Sequence, residues 1–196
     1  IEAFKARGLT QAFLTLLDFK LANGDASDGI EVPEIFQTPA GRTALVNALV
    51  PFIKATEVEA KSRGLPLIWD LWNEPIGAVK VDLVDQQAFI NELLDALIKD
   101  APGTTVTLGL RTAANLEHWG YLFERYKVPL QDGRLKVVVS VHTYEPLAQL
   151  PDVGSLNVPD WFRPQLVAWV TEADPRHERP KQPTTAADFA RDAQTV

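Results

Sequence analysis

The sequence predicts an α/β fold built on a parallel sheet, and two observations support this prediction. Short apolar segments alternate with helical segments along the 196 residues, a pattern typical of βα units. Polar and ionisable side chains directly follow several of the apolar segments, where the carboxyl ends of parallel strands would lie. The chain also lacks the G-x-G-x-x-G and G-x-x-x-x-G-K phosphate-binding motifs of many open α/β sheets.

Five segments are expected to form the strands of this sheet. Each is short, rich in apolar residues and bounded by polar or turn-forming residues. In chain order they are Ala12–Phe19, Leu67–Trp72, Thr104–Leu110, Leu135–Val141 and Leu166–Thr171.

Helices are expected between and after these strands. The longest is expected to run from Pro39 to about Arg63, with Thr38 as its N-cap and Gly64 directly after its end. The other predicted helices are Asp85–Lys99, Ala113–Tyr126 and Thr185–Gln194.

Two parallel-sheet architectures are compatible with this order of elements. A doubly wound open sheet needs only five or six strands, whereas an eight-stranded βα barrel (TIM barrel) needs about 250 residues. Length alone therefore favours the open sheet. Polar groups at the ends of several different strands favour the barrel, because an open sheet concentrates its site at one switch point. We expect an incomplete (β/α)8 barrel, with about five of its eight strands in this chain.

Composition narrows the class of ligand. An apolar content of 46% fits a globular core, and a net charge of -7 argues against nucleic-acid binding while remaining compatible with a neutral polysaccharide. No apolar run is long enough to span a bilayer, and no signal peptide is visible. The absence of cysteine excludes disulfides and thiolate nucleophiles in these residues.

Two glutamates are the candidate catalytic residues. Glu74 follows the strand Leu67–Trp72, and Glu172 follows the strand Leu166–Thr171. Burial at a strand end can raise the pKa of a carboxyl group, while the adjoining loop opens it to substrate. Two such carboxyl groups are the minimum equipment for cleaving a glycosidic bond. A glutamate before proline, taken alone, is more often a solvated loop residue.

Four motifs in this order resemble the clan A glycoside hydrolases, and most closely the cellulase- and mannanase-type enzymes of family 5, although families 2 and 39 share much of this pattern. They are Trp69-Asp-Leu-Trp-Asn-Glu-Pro75, Val106-Thr-Leu-Gly109, Ser140-Val-His-Thr-Tyr144 and Trp169-Val-Thr-Glu172. The resemblance covers most of the chain and implies that residues 1–196 form part of a catalytic barrel, strands three to seven. It departs from the family after Glu172, where Ala173-Asp174 stands in place of Phe-Gly.

The resemblance implies a retaining glycoside hydrolase that cleaves β-glycosidic bonds of a cellulose- or mannan-type poly- or oligosaccharide. Glu74 would be the acid/base and Glu172 the nucleophile. The expected substrate-binding residues are Asn73 at the sugar 2-hydroxyl, His142, Tyr144 beside Glu172, and the sugar-stacking rings of Trp72 and Trp161. No metal or cofactor is expected. A secreted or periplasmic location is expected, with a cytoplasmic one as the alternative.

Other interpretations compete with this one. The chain could be a non-catalytic carbohydrate-binding or scaffold fragment of a barrel, with the missing strands supplied by another chain or by a segment outside these residues. Asp70 is expected to be a structural residue, hydrogen-bonded inside the barrel. Trp69 and Trp169 are expected to pack between strands and helices, and Trp119 is more often a core residue than a sugar platform.

Overall fold

The computed structural model describes residues 6–17, 33–75, 81–110, 113–143 and 156–173. Its strands follow one another in the order β1 Ala12–Thr15, β2 Leu67–Asn73, β3 Thr104–Leu110, β4 Leu135–Val137, β5 Val139–Thr143 and β6 Ala168–Ala173. Its α-helices are α1 Pro33–Gln37, α2 Pro39–Ser62, α3 Leu83–Asp100, α4 Tyr121–Arg125 and α5 Lys127–Gln131. Short 3-10 helices span Ala113–His118 and Arg163–Gln165. None of the described helices is long and apolar enough to cross a membrane.

All strand pairs of the described sheet are parallel, and neighbouring strands follow one another in chain order, β1-β2-β3-β5-β6. The short β4 also pairs with β3, in the same register as β5, so the two segments share one position in the sheet. The result is an α/β fold with a parallel sheet of five strand positions. The described part of the sheet has no reversal of strand order, the feature that defines a doubly wound open sheet. The topology is compatible with part of a βα barrel.

Large apolar side chains cover one face of the sheet, which we call the helical face. Trp69 of β2 packs edge-on against Phe52 of α2, and its Nε1–H donates to the carboxylate of Glu57 over 2.7 Å. Trp72 is fully buried between Phe36 of α1 and Phe89 of α3, with ring centroids 4.5 and 5.8 Å away. These contacts attach the helices to β2, the strand that leads into Asn73 and Glu74.

The opposite face of the sheet, which we call the inner face, carries smaller and more polar side chains. Asp70, paired in register with Thr107 of β3, accepts a hydrogen bond from Thr15 of β1 on this face. Asp70 and Thr107 are almost completely buried, as are Ile68 and Ser140. Since a sheet buried on both faces is typical of parallel α/β folds, the burial agrees with the predicted class. The prediction that Asp70 is buried and hydrogen-bonded is confirmed.

The helix predicted to begin at Pro39 is confirmed at both ends. The Thr38 hydroxyl accepts the Gly41 N–H, and the chain leaves α2 through Gly64, whose φ of 66° is in the left-handed region. A Cβ at Gly41 would collide with the backbone of Ile35, so glycine permits the close approach of α1 and α2. Arg42 then joins three helices, because its guanidinium donates to the Phe36 carbonyl, to Asp85 and to Glu92.

Several predicted boundaries differ from the structure, among them the strand Leu135–Val141, which is divided into β4 and β5. The segment Ala113–Tyr126 is not one helix but a 3-10 helix followed by α4, with Gly120, a poor helix former, between them. The last strand begins two residues later than predicted, because the turn around Pro164 closes with the Leu166 N–H bonded to the Arg163 carbonyl. The ladder of β1 ends at Thr15, and the predicted helix Thr185–Gln194 lies outside the described residues.

Tyr121, in the helical layer, should titrate abnormally, and burial raises the pKa of the neighbouring Tyr126 as well. Burial raises the pKa of Tyr121 to about 12, although a hydrogen bond to Asn91 and the nearby Arg125 charge partly oppose the shift. The phenol of an unfolded chain has a pKa of about 10. The stability that Tyr121 contributes is therefore complete below about pH 10 and is lost as the pH rises towards 12. We expect ultraviolet titration to show late ionisation, and Tyr121→Phe to reduce the absorbance change near pH 12 by that of one phenol while the signal of Tyr126 remains. A Tyr121 phenol that titrates near pH 10 would contradict the burial of this ring.

Candidate active site

The end of β2 contains a β-bulge directly before the first candidate glutamate. Asp70 is paired with Thr107, but Asn73, three residues later, is paired with Gly109, so between these two pairs β2 has one residue more than β3. Such an extra residue interrupts the alternation of side chains along a strand and turns the strand end in a new direction. Leu71 and Trp72 therefore both belong to the apolar core. Asn73, which pairs with Gly109, returns to the inner face, the same face as Asp70.

Glu74 occupies an unusual backbone conformation next to this bulge. Its φ of 48° lies in the left-handed region, and it is the only residue other than glycine with a positive φ among the described residues. Its N–H donates to the Gly109 carbonyl over 2.7 Å, and the residue is only 7% exposed. A left-handed conformation costs a residue with a Cβ roughly 1–2 kcal/mol. Strain of this kind persists where surrounding contacts enforce it, and it is concentrated at functional sites.

The second candidate glutamate also follows a bulge. Val141 of β5 pairs with Val170 of β6, whereas the next residue, His142, pairs with Glu172, so β6 contains one extra residue at this point. The bulge determines that Glu172 rather than Thr171 stands opposite His142. Two residues predicted for the same site are thus neighbours in the backbone register, at the carboxyl ends of adjacent parallel strands.

The two bulges are the feature of the site that the sequence did not reveal. β2 has its extra residue between Asp70 and Asn73, and β6 has its extra residue between Val170 and Glu172. Bulges occur often beside active sites, where they re-aim a side chain. No glycine or proline marks either bulge within the strand, so no local residue type signalled them.

The predicted aromatic residues do not all belong to this strand-end region. Trp72 was predicted as a sugar-stacking ring, but the structure buries it completely against Phe36 and Phe89 on the helical face. Trp161 contacts the helical layer, where its Nε1–H donates to Glu124 and Lys127 lies over its ring. Tyr144 lies outside the described residues.

An apolar cavity of about 50 Å³ lies elsewhere, between the helical face of the sheet and helices α3 to α5. Its lining includes Leu71, Leu94, Val106, Trp119 and Phe123. Because sugar hydroxyls need polar partners, this cavity is not a candidate sugar site, and Glu74 does not line it. The buried Trp119 is a core residue, as predicted. No cluster of three or more histidine or acidic residues suited to a metal ion occurs in the described parts of the chain.

No protein-family profile matches the chain, and comparisons with curated proteins and with solved structures give no significant match.

The assembled region therefore consists of four adjoining strand ends, those of β2, β3, β5 and β6. Asn73 and Glu74 stand at the end of β2, Gly109 near the end of β3, and the pair His142–Glu172 across β5 and β6. The backbone register thus brings two glutamates, a histidine and an asparagine to neighbouring strand ends at the carboxyl edge of the sheet.

Proposed function

We propose that the protein is a retaining glycoside hydrolase that acts on β-glycosidic bonds of a cellulose- or mannan-type poly- or oligosaccharide. The observation that carries the proposal is the placement of Glu74: a carboxyl-bearing residue, 7% exposed, in a left-handed backbone conformation at the carboxyl end of a parallel strand. A buried carboxyl group at such a position is suited to hold and release a proton.

The reaction proceeds in two displacements. In the first, a carboxylate oxygen of Glu172 bonds to the anomeric carbon while the glycosidic C–O bond breaks, and Glu74 gives its proton to the leaving oxygen. In the second, Glu74 removes a proton from water, the water oxygen bonds to the anomeric carbon, and the ester bond to Glu172 breaks. One water is consumed, and both glutamates return to their initial protonation states. Asn73 donates a hydrogen bond to the sugar 2-hydroxyl, and His142, opposite Glu172 in register, binds substrate beside it.

The strand order sets a geometrical requirement for this mechanism. Counted along the sheet, β6 is three positions from β2, or about 14 Å at about 4.8 Å per position. A retaining mechanism needs the two carboxyl groups about 5–5.5 Å apart. A flat sheet cannot bring them together, whereas a sheet curled into a barrel directs its strand ends towards a common axis. The chain-order topology supports the curled arrangement, and the closed eight-stranded barrel is part of the proposal.

Proton NMR of the first product formed from aryl β-glucosides and aryl β-mannosides tests the proposal. We expect the β-anomer to appear first, because two inversions at the anomeric carbon restore its configuration. Release of the α-anomer would show an inverting enzyme and would refute the assignment of Glu172 as nucleophile. Binding to cellulose or mannan without any product would favour the non-catalytic fragment instead.

A further inference from the structure

Three strands of the sheet meet at one buried carboxyl group, that of Asp70. The residue is 1% exposed. Its Oδ1 accepts a hydrogen bond from the Gly109 N–H of β3 at 2.8 Å, and its Oδ2 accepts one from the Thr15 hydroxyl of β1 at 3.3 Å. Asp70 therefore connects β2 to both of its neighbours, at the residue where the β2 bulge begins.

A short path of hydrogen bonds leads from Asp70 to Glu74. Gly109 donates its N–H to Asp70, and the carbonyl of the same residue accepts the N–H of Glu74 at 2.7 Å. The ladder between β2 and β3 is locally disrupted here because β2 carries its extra residue. The carboxylate supplies an acceptor at this disruption, and the position of Gly109 in turn determines where the backbone of Glu74 is held.

We propose that Asp70 is a positioning residue for the acid/base Glu74, acting through Gly109. This inference rests on the proposed function and deepens it. Glu74 is held in a strained left-handed conformation, which persists only where neighbouring contacts over-determine it. The Asp70–Gly109–Glu74 path is such a set of contacts. Without the Asp70 acceptor, the Gly109 N–H can move away from β2, and the hydrogen bond that fixes Glu74 moves with it.

Three variants separate an effect on the position of Glu74 from an effect on overall stability: Asp70→Ala, Asp70→Asn and Thr15→Val. Asp70→Ala removes the acceptor, and we expect kcat to fall roughly 100-fold with little change in KM, since a small displacement of a catalytic group has that effect. Asp70→Asn keeps an oxygen for Gly109 and places an amide donor opposite the Thr15 hydroxyl, so we expect kcat within about tenfold of the native value. Thr15→Val removes the Thr15 hydrogen bond to Asp70 and leaves the Gly109 hydrogen bond in place, and we expect it to lower stability while preserving kcat.

Amide hydrogen exchange of the native protein and the same variants provides a measurement that does not depend on catalysis. We expect Asp70→Ala to accelerate exchange at Gly109 and Glu74 much more than at Val106, and Thr15→Val to leave Gly109 and Glu74 protected. If the native protein cleaves no β-glycoside, the proposed function fails, but the exchange data still decide whether Asp70 holds Glu74. The inference is overturned if Asp70→Ala retains native kcat and native protection at Gly109. It is equally overturned if folded Asp70→Asn, in which the acceptor remains, loses activity roughly 100-fold.

Discussion

Replacing Glu172 with glutamine should lower kcat on an aryl β-glycoside by on the order of 10⁴-fold or more, because an amide oxygen cannot form the glycosyl ester. Replacing Glu74 with glutamine should lower it by roughly 10²- to 10⁴-fold, the usual contribution of a general acid–base group. The effect of Glu74→Gln should also depend on the leaving group. An aryl group that departs without protonation should still be released quickly, so the covalent intermediate should accumulate and appear as a burst of product.

Rescue by an added nucleophile distinguishes loss of the general acid–base group from general damage to the protein. Azide, which needs no general base, should restore turnover of Glu74→Gln on a reactive aryl glycoside and give a β-glycosyl azide. Glu124→Gln is the matched control, because Glu124 is a surface glutamate on α4 whose hydrogen-bond partner is Trp161. Its kcat should match that of the native protein. Native activity in Glu172→Gln would remove the basis of the proposed mechanism.

Replacing Trp72 with alanine should lower the free energy of unfolding by about 4 kcal/mol, the usual effect of removing a large aromatic ring from a packed core. The ring has no exposed surface and lies between Phe36 and Phe89, so its removal leaves a cavity where α1 and α3 meet β2. Since domains of this size are stable by only about 5–15 kcal/mol, the variant should unfold at a much lower urea concentration. Circular dichroism during urea titration provides the measurement.

Trp161→Ala is the control for this prediction. Trp161 is partly exposed and has a hydrogen bond to Glu124 and a cation–π contact with Lys127, so its loss should cost about 1 kcal/mol. If Trp72 were a sugar-stacking ring, Trp72→Ala would instead raise KM and leave the urea midpoint close to that of the native protein. That pair of results would contradict the packing described for the helical face.

The sequence was sufficient to predict the elements with strong local signals. The long helix after Thr38 has a capping side chain, a proline in its first position and a glycine after its end, and the structure has it at Pro39–Ser62. The strand Thr104–Leu110 has the predicted bounds. The buried, hydrogen-bonded position of Asp70 also followed from the sequence, because an acid within an apolar strand must find partners.

The error over Trp72 has a definite physical cause. Strict alternation places Ile68, Asp70 and Trp72 on one face of the strand, the face that would meet substrate. The bulge after Asp70 adds one residue and so interrupts the alternation of side chains. Trp72 therefore lies on the helical face and Asn73 on the inner face. A bulge depends on how two strands pair, and neither strand alone specifies it.

For this protein, residue type and spacing by themselves determined the parallel α/β class, the chain order of the main strands and long helices, and the two glutamates near the ends of separate strands. The tertiary structure alone decided the register: the two bulges, the left-handed backbone of Glu74 and the pairing of Glu172 with His142. The reason is physical. Local propensity and hydrophobic period act within a segment, whereas register arises from hydrogen bonds between segments that are distant along the chain.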